Sequence, residues 1–118
     1  MAELIAAPTR IPVPGGKIIE EYVGRVNSAE DAVSVAHMQA PPGWTEPFQT
    51  PGFDEYTLVL TGTVLVETAD GTLRVTAGQA VVTRAGERIR YATGPDEGAS
   101  YVAVCLPAFA PDLAARDD

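Results

Sequence analysis

The sequence predicts an all-β fold, and three observations carry that reading. Apolar residues recur in short alternating runs, each run ends at glycine, proline or an Asp-Gly pair, and no long stretch keeps a helical period. Residues 1–16, with Pro8, Pro12, Pro14 and the pair Gly15-Gly16, read as an extended arm rather than a core strand. "KIIEEYVGRV" (17–26) is rich in β-branched residues and stops at the polar "NSAED". "AVSVAHMQ" (32–39) alternates until "APPGW" breaks it. "EYTLVL" (55–60) and "TVLVET" (63–68) read as two strands flanking Gly62. Asp70-Gly71 supplies the positive φ of a tight hairpin into "TLRVT". "AGQAVVTRAG" and "ERIRYAT" give two more strands with bends at Gly78 and Gly86, and "ASYVAVCLP" closes the series. Helical appeal is confined to "NSAEDA" and the acidic tail "PDLAARDD" (111–118), which is expected to pack one turn or fray.

At 118 residues, 46% hydrophobic and 20% charged, the chain has the size and composition of one folded domain. A net charge of −8 disfavours polyanionic partners, so no nucleic acid and no membrane surface is expected. The single cysteine, Cys105, leaves no internal disulfide and no thiolate zinc site, and reads as a small buried hydrophobe. The first residues lack a basic segment followed by an apolar run, and no stretch is long and apolar enough for a membrane helix. The expected location is the cytoplasm.

The turn spacing resembles that of the cupins, small antiparallel β-barrels of jelly-roll type. Gly43, Gln49-Thr50-Pro51, Glu55 and Gly62 match the spacing of the first cupin motif. Gly78, Arg84-Ala85-Gly86, Ile89 and Thr93 match that of the second. Nearest in likeness are the small cupins related to the ethanolamine-utilisation acetate-kinase protein. The resemblance implies a cupin-type antiparallel β-barrel over 17–110, between the N-terminal arm and the tail. It also places the family's four metal-ligand positions on Gln49, Pro51, Glu55 and Ile89. Proline and isoleucine offer no side-chain donor, and a neutral amide oxygen is a poor ligand for zinc, iron or copper. Neither a metal nor another cofactor is therefore expected.

Glu55 is the residue singled out as catalytic. A carboxylate in an apolar barrel loses solvation, which raises its pKa towards the range where it can exchange protons at neutral pH. The alternative is a carboxylate that merely pairs with an arginine or caps a backbone donor. His37, the only histidine, is a second acid/base candidate or an ordinary strand residue whose direction parity does not settle. Tyr91 offers a phenol to a bound carbonyl or fills the core. Gln49 orients a ligand or satisfies its loop. Thr57 and Ile89 share inward faces with Glu55 and Tyr91 by strand parity. Trp44, Phe48 and Phe53 line a pocket mouth, plug the barrel or cover an interface. Arg88 and Arg90 should point outward, with Glu67 as a cross-strand partner.

Together these readings give an expected function. A metal-independent enzyme of isomerase, lyase or cyclase type works on a small organic molecule through Glu55, in a homodimer. Two alternatives stand beside it: a non-catalytic metabolite-binding module, and a weak metal site built from His37, Gln49 and Glu55.

Overall fold

The computed structural model of the chain describes residues 1–117, so Asp118 of the expected tail lies outside the described residues. Eight strands and one short helix follow in order: β1 (Thr9–Ile11), β2 (Ile18–Val23), β3 (Ser34–Ala40), β4 (Asp54–Thr68), β5 (Gly71–Thr76), β6 (Ala80–Thr83), β7 (Arg90–Ala92), β8 (Ala99–Leu106) and α1 (Pro111–Ala114). Every ladder is antiparallel. The strand order is β1-β2-β3-β8-β4-β5, with β6 and β7 also paired to β4.

Three features depart from the sequence reading. The sheet is not closed: β1 and β5 end the strand order and do not pair, so the ladder is open where a closed barrel was expected. Edge strand β1 runs into Pro12 and Pro14, which carry no N–H for a further ladder. It also forms inside the stretch read as an arm. The runs on either side of Gly62 are a single 15-residue strand, β4. Its first half pairs with β6 and β8 and its second half with β5 and β7, so β4 passes from one layer to the other at Gly62. Gly62 makes the bend possible with φ of 75°.

The core lies between the layers. Val59, Val64, Val66, Val75, Ile89 and Tyr101 form its centre, and all are buried. On β8, Ala99, Tyr101, Ala103 and Cys105 point inward at alternate positions, the period of two expected of a half-buried strand. "NSAEDA" forms turns, and the tail packs one helical turn that buries Ala114.

Glu21 is a buried carboxylate, 2% exposed, on β2. It accepts the backbone N–H of Val26 at 3.0 Å and of Asn27 at 2.9 Å, two donors that the turn after β2 leaves unpaired. Glu21→Ala is expected to strand both and lower stability by about 2 kcal/mol, read by chemical denaturation. An unchanged midpoint would show that water replaces the carboxylate at no cost.

Candidate functional site

The cavity between the layers is built from the motif loop upward. Residues 43–49 run beside residues 89–94 and are pinned at both ends. Gly43 N–H donates to the Gly94 carbonyl at 2.7 Å, Thr93 N–H donates to the Trp44 carbonyl at 2.9 Å, and Gln49 and Ile89 exchange backbone bonds at 2.8–2.9 Å. Trp44 N–H also donates to the Thr93 hydroxyl at 2.9 Å. From the far side, the last residues close the ring: Gly52 N–H donates to the Leu113 carbonyl, and Asp117 N–H to that of Phe48. The result is a small cavity of about 50 Å³ with Glu55, Gln49, Tyr91, Tyr101, Glu46 and Lys17 among its walls.

Glu55 is buried, and its hydrogen bond comes from the Thr57 hydroxyl at 3.3 Å. Burial pushes its carboxyl pKa up to about 7; Lys17 pulls it down, Glu46 adds to the rise, and the Thr57 bond opposes it. Glu46 is raised for the same reason, burial, and is held by the Gln49 side-chain amide, which donates to it at 2.8 Å. The Lys17 ammonium lies 4.4 Å from the Trp44 ring centre and 5.4 Å from that of Tyr101. Burial lowers its pKa, while Glu46 and Glu55 resist the fall. Two carboxyls and one amine thus share a desolvated space, so protonation of one alters the others. Burial also keeps the Tyr91 phenol and the Cys105 thiol protonated. The Tyr91 hydroxyl is paired with that of Thr83 at 2.9 Å.

The residues singled out from sequence divide into those at the cavity and those away from it. Glu55, Gln49, Tyr91 and Phe53 line it, Trp44 lines a neighbouring pocket that shares Lys17 and Glu46 with it, and Thr57 stands behind Glu55. Ile89 is fully buried in the core cluster rather than on the cavity wall. Phe48 lies outside, with the Arg88 and Arg90 guanidinium groups 4.1 and 4.5 Å from its ring centre. Arg90 also pairs with Glu67, and Arg88 with Asp117. His37 is on the opposite face of β3 from the cavity, where its Nε2 meets the Ser100 hydroxyl at 2.8 Å. It cannot reach Glu55.

The cavity residues not singled out include Lys17, Glu46, Tyr101 and Arg116. Strand parity places Lys17 with Ile19 and Glu21, and Tyr101 with Ala103 and Cys105, on inward faces. Glu46 and Arg116 sit in irregular chain and gave no such signal. The Tyr101 hydroxyl, on a residue 2% exposed, has no hydrogen-bond partner among the described residues. Tyr101→Phe should therefore cost nothing and raise stability by up to about 1 kcal/mol in thermal denaturation. A loss of that size would reveal a partner for the hydroxyl in solution.

The fold implies a metal, and the donor set does not fit one. The four positions present glutamine, proline, glutamate and isoleucine, and no group of three His, Cys, Asp or Glu that could hold an ion exists among the described residues. With His37 facing away, the weak site of His37, Gln49 and Glu55 does not assemble. No helix among these residues is long and apolar enough to cross a membrane.

Nearly all-antiparallel layers around this cavity define a cupin-type fold, and solved structures agree. The chain is similar to ethanolamine utilization protein Q of Salmonella typhimurium LT2, at 20% identity and a TM-score of 0.67, over 79% of this chain and 71% of that one. It is also similar to oxalate decarboxylase of Bacillus subtilis, at 16% identity and a TM-score of 0.78, over 95% of this chain and 31% of that one. No protein-family model matches the chain. Among curated proteins it is 43% identical over 104 residues to Endoribonuclease YbeY of Myxococcus xanthus (strain DK1622), across 88% of this chain. The chain spans only about a third (35%) of the length of that relative.

The relative overturns the functional expectation. A close relative named as an endoribonuclease does not fit an isomerase, lyase or cyclase of small molecules, nor the metabolite-binding alternative. The expected partners, a small molecule and a second copy with no nucleic acid, are corrected on the same finding. Net charge gave no sign of this likeness, because it reports on surface electrostatics alone.

Proposed function

We propose that the chain works in RNA processing, as a cupin-fold domain that tunes a ribonuclease centre carried by other sequence. One observation carries this reading: 43% identity across 88% of the chain to a protein named as an endoribonuclease, of which roughly two-thirds lies outside the match. The cavity supports a tuning role. Glu55 holds its proton to about 7 beside Glu46 and Lys17, in a cavity of about 50 Å³ that is narrow for a scissile phosphodiester with its riboses. Glu55 is the titrating group in this reading, with Gln49, Tyr91 and Thr57 fixing its surroundings. The open ladder serves as a cupin jelly roll over residues 17–110, and the site of action is the cytoplasm.

A second reading has one specific support. Cleavage of RNA by its own 2′-hydroxyl needs one group to accept a proton and another to donate one, and Glu55 beside Lys17 is such a pair. An RNA-cleavage assay separates the two. The full-length Myxococcus xanthus relative is expected to cut a labelled RNA that the present chain leaves intact. Changing the relative's counterpart of Glu55 to glutamine is expected to shift the pH profile of its cleavage. Cleavage by the present chain, lost in Glu55→Gln, would establish the second reading instead. A relative that does not cut RNA, or whose profile ignores the glutamine, sinks the first.

A further inference from the structure

An antiparallel sheet with one solvated face normally carries polar side chains there. On the outer face of β8-β4-β6 two cross-strand rows depart from this, while His37, Gln39 and Ser100 make the side towards β3 polar. Leu58 stands between Val102 and Ala80 in one cross-strand row, and Tyr56 stands between Val104 and Val82 in the next. Leu58 and Val82 are 46% and 44% exposed, and Leu60 and Leu106 extend the patch at similar exposure. No charged side chain interrupts these rows. The ion pair Arg84–Asp54 lies at one end, with Arg84 reaching over the Tyr56 ring. In a chain of net charge −8, a continuous apolar surface with a polar rim marks a contact site.

We propose that this face docks the ribonuclease portion that accompanies the domain in proteins built like the Myxococcus xanthus relative. The inference rests on the functional reading above. Its occupant follows from chain length: most of that relative lies outside the matched third, on the same polypeptide and so at high effective concentration. The cavity opens on the other side of β4 and β8, so docking leaves it free, and the two strands that carry Glu55 and Tyr101 also carry the apolar rows.

The test uses the full-length relative. Its residues aligned with Leu58 and Val82 should be apolar, and a charged residue at both would overturn the proposal. Replacing both by aspartate should split a single thermal transition into two and make the junction more than tenfold faster to cleave by protease. The aspartate at the counterpart of Leu73, exposed on β5 and off this face, should do neither. Leu58→Asp with Val82→Asp in the present chain is the folding control and should leave its own melting within a few degrees. An unsplit transition with unchanged proteolysis overturns the docking face. If the transition splits while RNA cleavage and its pH profile stay as before, the face stands and the tuning role fails. If the profile responds to the glutamine at the counterpart of Glu55 but the transition does not split, the tuning role stands and the face fails.

Discussion

Glu55→Gln is expected to stabilise the chain at about pH 8 by about 2–3 kcal/mol and to leave it nearly unchanged at about pH 4.5. The sign follows from where the proton sits. The unfolded carboxyl releases it near 4.5, while the folded one holds it to about 7. Between those values the folded state binds more protons than the unfolded state, so stability falls as pH rises, and above 7 the full penalty applies. A shift of this size is worth about 3 kcal/mol, an order-of-magnitude figure. Glutamine is neutral throughout and resembles the protonated acid, so it escapes the penalty. The gain is trimmed because Lys17 loses a counter-charge. Urea denaturation of both proteins across this range is the measurement. An equal stability difference at both ends would mean Glu55 titrates as an ordinary carboxylate.

Gly62→Ala should be the most damaging single methyl in the molecule. A Cβ there would stand 2.0 Å from the Gly98 carbonyl oxygen and 3.0 Å from the Ala99 Cα, both backbone atoms that cannot rotate away. The residue's φ of 75° adds left-handed strain for any L side chain. Strain and overpacking together predict a loss of about 3–5 kcal/mol. Gly78→Ala is the comparison: φ is 84°, but no atom lies within 4 Å of the added Cβ. It should lose about 1 kcal/mol, from backbone strain alone. Equal losses at the two positions would remove the steric part of the argument.

The strands were legible because period-two alternation and turn residues are local signals. That is why β3, β8 and the Asp70-Gly71 hairpin fall where the pattern puts them. The unity of β4 was not legible: Gly62 looks like a break in sequence, and only its pairing with four partners shows that it is a bend. Glu55 was found through its place in a spaced motif. Lys17 was missed because its role depends on Gly15 and Gly16 turning it beneath Trp44, a contact between segments nearly thirty residues apart. The direction of His37 could not be read either, since Val33 and Val35 share its face while Ala36 and Met38 share the other. Function was least legible of all, because charge and pocket residues gave no sign of the likeness to a protein named as an endoribonuclease.

The strap formed by residues 113–117 has a consequence in time. Leu113, Ala115 and Asp117 bond the backbone of residues 48–52, and Arg116 lines the cavity. These contacts join segments more than sixty positions apart, and closing such a loop is slow compared with forming a hairpin. During synthesis the hairpins can pair early, but the site cannot be assembled until residues 113–117 have emerged. Lys17 and Glu55 are therefore open to water until this strap has closed, and their shifted acid–base behaviour arises only with it.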